Sequence, residues 1–173
     1  PLIGMQHYIY GGVVVLSPPC DTWTMQWSLC CRNTTVNLVG QPEMLVEATL
    51  NSATDSCNNS PVFNAQPILY VCLNQNVNYN FGISEADGDS LVYQFVTPKD
   101  EIVGGNVQPV PFSPGYSYTQ PIAGISLSTT TGQLQFTPTI AGNFVLAVEV
   151  CEYDYATGLL QGCVIRDIQF IVI

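Results

Sequence analysis

Three carboxylates stand at alternate positions, Glu85, Asp87 and Asp89, in the short stretch ISEADGDS. Oxygen ligands at every second position suit a hard cation such as Ca²⁺, which takes about six to eight oxygens. Three side chains fall short of that number. Glu152 or Asp154, in the later stretch CEYDYATG, completes a cage if the fold brings both stretches to one end. The competing reading is a solvated acidic turn in which Asp87-Gly88 serves backbone geometry. The second chemical resource is seven cysteines: Cys20, Cys30, Cys31, Cys57, Cys72, Cys151 and Cys163. No pair has CxxC spacing, which removes zinc-ribbon and thioredoxin-like readings. Many cysteines beside few lysines fit disulfides in an oxidising, extracellular compartment.

The charge balance narrows the partners. The 173 residues include three basic and thirteen acidic ones, one histidine, and a formal net charge of −10. Three cations cannot neutralise a phosphate backbone, so nucleic acid is excluded as a partner. The same deficit argues against anionic membrane surfaces. With His7 as the sole imidazole, His-based triads and zinc sites have almost no material. The scattered acids suggest no cleft for a glycosidase pair. Lys99, the only lysine, follows Pro98 at a loop start and does not suit an isopeptide cross-link. The chain reads as non-enzymatic. Apolar runs such as Val13–Leu16 are far below the roughly 20 residues of a membrane span. The opening on Pro1 without a signal segment reads as an internal fragment or processed chain.

The elements that must position these residues are strands. Trp23, Met25, Trp27 and Leu29 alternate with polar residues, as do Val77, Tyr79 and Phe81 with asparagines. Leu91, Tyr93 and Phe95 continue the pattern, then Leu134 and Phe136, then Phe144, Leu146, Val148 and Val150. Period-two alternation buries one face and wets the other. Asp87-Gly88, Thr131-Gly132, Ala141-Gly142 and Thr157-Gly158 punctuate the runs. Many short strands at regular spacing predict an all-β sandwich. A boundary is expected near Cys57-Asn58-Asn59-Ser60-Pro61. Residues 58–173 have the size of one immunoglobulin-like sandwich. Residues 1–57, with strands expected near 6–16, 22–30 and 44–50, read as the C-terminal strands of a preceding β-domain, or as a segment docked on the second.

The last hairpin predicts a disulfide. With Cys151 opposite Cys163, Glu149 pairs with Ile165 and Ala147 with Asp167, leaving Leu146, Val148, Ile168 and Phe170 for the core. Cys20 does not readily reach Cys30, because the strand between them spans roughly 30 Å. Cys30 and Cys31 would face opposite sides of a strand and seek different partners. A Cys57–Cys72 bond would stiffen the joint between the two parts; Cys57 with Cys20 is the alternative. The Pro/Gly-rich stretch 98–124 reads as a long loop. Its Phe112, Tyr116 and Tyr118 either form a platform for a ligand such as a sugar ring or pin the loop to its own domain.

Two resemblances extend this reading. Asp87–Tyr93 (DGDSLVY), Thr130–Pro138 (TTGQLQFTP), Ala141–Phe144 (AGNF) and Glu152–Asp154 (EYD) resemble cadherin-like repeats of bacterial surface proteins. That likeness implies an immunoglobulin/cadherin-like sandwich and supports calcium at Glu85, Asp87, Asp89 and Asp154. WTMQWSLCCRN, VEATLNS, CNNSPVF, YVCLNQNVNYNFG and RDIQFIV, in this order, resemble segments of giant gliding-motility-associated surface proteins of Bacteroidota. This implies type 9 secretion, display on the cell surface, and a stalk in a long adhesin. The implied partners are neighbouring domains of the same chain and, in the alternative of a carbohydrate-binding module, surface polysaccharide.

Overall fold

The structure, a computed structural model, describes residues 7–54, 57–67 and 70–173. It is all-β, with several antiparallel sheets. The elements are β1 (Trp23–Leu29), β2 (Met44–Leu50), β3 (Val62–Phe63), β4 (Tyr70–Val71), β5 (Val77–Asn80), β6 (Ile83–Ser84) and β7 (Ser90–Val96). They continue with β8 (Lys99–Val103), β9 (Asn106–Pro109), β10 (Ser126–Leu127), β11 (Gln133–Phe136), β12 (Gly142–Tyr153) and β13 (Leu160–Val172). The large sheet runs β7-β12-β13-β2-β8-β9, with β1 on β2 and β4 on β13. A three-stranded sheet, β10-β11-β5, faces it across the core.

The alternation decides which side chains meet. Phe144, Leu146, Val148 and Val150 of β12 and Ile168 and Phe170 of β13 point into one cluster. Tyr79 and Phe81 from β5 and its end, and Leu134 and Phe136 from β11, close it from the other sheet. Edge-to-face rings, Phe136 on Phe170 at 5.1 Å and Tyr79 on Phe170 at 5.9 Å, lock the two layers.

The stretch ahead of residue 57 docks on the stretch after it. β2 carries β1 along its full length on one edge. It pairs Ala48–Leu50 with Val164–Gly162 of β13 and Leu45 with Lys99 of β8. Between β1 and β2 the chain crosses the large sheet. Val36 N–H donates to Asn143 O at 2.8 Å. The buried Asn37 side chain acts as a strand partner for Val145: its Nδ2 donates to Val145 O at 2.7 Å, and Val145 N–H donates to its Oδ1 at 3.0 Å. This covers the part of β12 that β7 leaves unpaired, since β7 begins pairing only at Ala147.

Three expectations give way here. No strand forms over 7–16; Ile9 and Val13–Val15 lie exposed, with no neighbouring strand to pair with them. Gln6 lies outside the described residues. The stretch 98–124 is not one loop. It opens with the β8–β9 hairpin, because Gly104 and Gly105, both at positive φ, supply the tight turn that matches strand twist. The face of β1 with two tryptophans is only partly covered. Tyr10 packs on Trp27 at 5.5 Å, while Met25 and Leu29 stay exposed.

Each of the chain's three cations has an internal contact. Arg32 pairs with Asp167 at 2.5 Å, Lys99 with Glu47, and Arg166 lies over the Phe63 ring at 5.3 Å.

Candidate functional site

The β6–β7 loop wraps around Glu85. Its Oε1 accepts the Asp87 N–H at 2.7 Å, and its Oε2 accepts those of Gly88 and Asp89 at 2.5 and 2.6 Å. Asp87 is turned aside, accepting from the Asn59 backbone N–H at 2.6 Å and from Asn59 Nδ2 at 3.0 Å. Asp89 faces the end of β12, where Glu152 lies fully buried. Carboxylate oxygens of Glu85, Asp89 and Glu152 lie within 4.8 Å of one another. A point central to three such atoms is within about 2.8 Å of each, close to the calcium–oxygen range of about 2.3–2.6 Å.

Glu152 reaches this place because of what is missing opposite it. Gly162 pairs with Glu152 on β13. A Cβ there would clash with Thr49 O and meet Glu152 Oε1 at 2.9 Å, so glycine alone lets β2 and the carboxylate close in. Asn58 Nδ2 donates to Glu152 Oε1 at 2.5 Å. Glu152 Oε2 and Asn58 Oδ1 are buried without a hydrogen-bond partner. Two orphaned acceptors beside two further carboxylates want positive charge, and a set made only of oxygens fits a hard cation.

The electrostatics agree. Burial, with Asp89, Glu85 and Asp87 nearby, pushes the Glu152 carboxyl up to about 7, against the opposing bond from Asn58. Asp89 is raised by desolvation and then by Glu85 and Asp154. Of the four carboxylates expected as ligands, Glu85 and Asp89 come together, with Glu152 as the third member. Asp87 and Asp154 do not join them. Asp154 Oδ1 accepts from the Thr157 N–H at 2.6 Å and Oγ1 at 2.5 Å, which holds the β12–β13 turn and keeps its carboxyl below the usual range.

Glu152 is set apart from Asp154, which shares its parity, by strand length: β12 ends at Tyr153, so Asp154 already lies in the turn. Val148 and Val150 face inward, and Glu152 continues their side of β12. No family model, curated protein or solved structure matches the chain. The site therefore rests on its own geometry.

The other candidate residues have structural places. Cys151 and Cys163 are bonded across β12–β13, with Cα atoms 4.0 Å apart, in a register that pairs Glu149 with Ile165 and Ala147 with Asp167. Their sulfurs lie near Glu149 but, being bonded to each other, are not thiolate ligands. Cys57 and Cys72 are not bonded to each other. Asn58, beside Cys57, reaches Glu152 near one end of β13, whereas Val71, beside Cys72, pairs with Val172 at the other. Ten residues of strand separate those ends by roughly 33 Å, far beyond a disulfide's reach. Cys30 and Cys31 are bonded to one another. They follow the end of β1 and do not occupy a strand, and Cys31 takes a positive φ. Tyr116 packs edge-on against Phe144 at 6.1 Å, and Phe112 packs against Leu38, Val110 and Val145, so both pin the 110–124 segment. Tyr118 remains exposed.

The raised Glu152 carboxyl has a pH signature. In chelator, the folded state keeps the Glu152 proton up to about pH 7, while the unfolded chain releases it near 4.5. The folded state therefore binds more protons across that window, and stability falls as pH rises, by up to about 1.4 kcal/mol per pH unit. Urea unfolding in EDTA should show a higher midpoint at pH 5 than at pH 8, and Glu152→Gln should reduce that difference. An equal slope in the variant would assign the effect to other groups.

Proposed function

We propose that the chain is a non-catalytic structural module of a large extracellular surface adhesin or filament. In this reading it is an immunoglobulin/cadherin-like sandwich, stiffened by disulfides and by a calcium ion, that serves cell-surface adhesion and gliding as part of a stalk. The observation that carries the reading is the buried Glu152 Oε2, without a partner, among Glu85, Asp89 and Asn58.

These residues come from three places: the β6–β7 loop, the end of β12, and the segment leading from β2 to β3. A cation held there ties the three together and opposes their separation under load. The Cys151–Cys163 disulfide supports an oxidising compartment. No helix of the described residues is long and apolar enough to cross a membrane.

Calorimetry and thermal unfolding with calcium, then chelator, test the cation. Calcium at about 100 times its Kd adds about 2.7 kcal/mol, or roughly 5–10 °C in Tm for a chain of this size. Glu152→Gln should abolish the shift. No heat and no Tm change in the wild-type chain would remove the calcium clamp. Antibody labelling of intact, unpermeabilised cells tests display: labelling confined to lysed cells would remove the surface role.

A further inference from the structure

The large sheet has a gap on the second edge of β13. β2 covers Gly162–Val164 and β4 covers Ile171–Val172, but no strand covers the residues between. There the segment after β1 approaches with side chains only, and leaves a cleft of about 210 Å³. The polar wall consists of Arg32, Asp167, Asn33 and Gln169. The Cys30–Cys31 disulfide, Met44 and Val145 form apolar surface beside it.

The hydrogen-bond inventory of that wall is incomplete. Arg32 has five N–H donors. Three are used, toward Glu43 O at 3.0 Å, Asp167 Oδ1 at 2.5 Å and Lys99 O at 3.2 Å. Asp167 is among the lining residues, and its Oδ2 is buried with no partner. Asn33 Nδ2 donates to Gln169 Oε1 at 3.3 Å, which leaves Asn33 Oδ1 as an acceptor and Gln169 Nε2 as a donor. Both donors and acceptors thus line a site whose one cation and one anion cancel.

The geometry points to a binding site for one neutral sugar ring. Each hydroxyl of a sugar gives and takes a hydrogen bond, which matches the mixed wall. The ring's C–H face suits the sulfur and apolar surface. Net neutrality disfavours charged ligands, and the volume lies below the roughly 300–1,000 Å³ of sites for larger molecules. The site is separate from the carboxylate cluster and from Tyr118, and stands whether or not calcium binds.

The test is an NMR titration of the ¹⁵N-labelled full chain with neutral hexoses, a neutral hexose-terminated oligosaccharide, glucuronate and glucosamine. The expected result is saturable shifts in the Asn33 and Gln169 side-chain amides for the neutral sugars only. Asn33→Ala and Gln169→Ala, both at the cleft's rim, should each weaken binding about three- to tenfold. Tyr118→Ala should leave it unchanged. Tighter binding of the oligosaccharide identifies a chain end as the occupant, and equal binding a free sugar; either upholds the site. The proposal is overturned by the absence of saturable shifts with every neutral sugar, which would mean water alone fills the cleft. Preference for a charged sugar, or binding unaffected by both cleft variants, would overturn it equally.

Discussion

Arg32→Met is expected to lower unfolding free energy by about 3–5 kcal/mol, the usual cost of stranding one member of a buried ion pair. Both side chains are almost wholly buried, at 5% and 4% exposure. Removing the guanidinium leaves Asp167 without its counter-charge, and leaves Glu43 O and Lys99 O without this donor. Those carbonyls belong to the segment leading into β2 and to the start of β8, so one side chain joins three parts of the large sheet. Burial already raises the Asp167 carboxyl against the pull of Arg32. Without Arg32 it rises further, so the variant's deficit should shrink as pH falls and the carboxyl takes a proton. Arg32→Met with Asp167→Leu should recover more than half the loss, because desolvation disappears with the charge. Urea unfolding followed by fluorescence of Trp23 and Trp27 measures all three chains. A single-variant loss below about 1 kcal/mol would show that the pair is solvated.

Asn37→Ala should cost about 3–4 kcal/mol, again by urea unfolding. The side chain is fully buried and makes three bonds, to Pro121 O at 3.0 Å and to both backbone groups of Val145. Alanine leaves the Val145 N–H and two carbonyls without this partner inside the protein, where each lost bond costs about 1–3 kcal/mol before relaxation. Water entering the site would soften the sum. Asn37→Asp retains an acceptor for Val145 N–H but turns a carboxylate toward two carbonyl oxygens, so it should be no better than alanine near neutral pH. A variant as stable as wild type would mean that the 32–38 segment contributes little to holding β12.

Alternation made the principal strands legible, because β5, β7, β11 and β12 each bury, or partly bury, every second side chain, while β1 half-buries Trp23 and Trp27 on its alternating face. The Cys151–Cys163 register was legible for the same reason, since two strands joined by a short turn have few ways to place six apolar residues on one side. Arg32 and Asn37 were not legible as structural residues. They lie between β1 and β2 in a segment with no period, and their roles depend on partners more than 100 residues away. The acidic site was half legible. Spacing within Glu85–Asp89 marked the loop, yet it could not show that Asn59 turns Asp87 away. Nor could it show that Asp154 holds a turn while Glu152 follows the inward parity of β12. Adjacent Cys30 and Cys31 suggested opposite faces only on the premise that β1 continues through them.

The internal placement of Arg32, Lys99 and Arg166 has a consequence for proteolysis. Enzymes that cleave after basic residues must draw the chain in extended form through their active cleft, and exposed mobile loops supply such segments. Here Arg32 is buried in its ion pair, Lys99 begins a strand beside Glu47, and Arg166 sits mid-strand in β13, hydrogen-bonded to β12. Each site becomes a substrate only after part of the large sheet has opened, so trypsin-type digestion of this chain reads out opening of the fold and not the mobility of its loops.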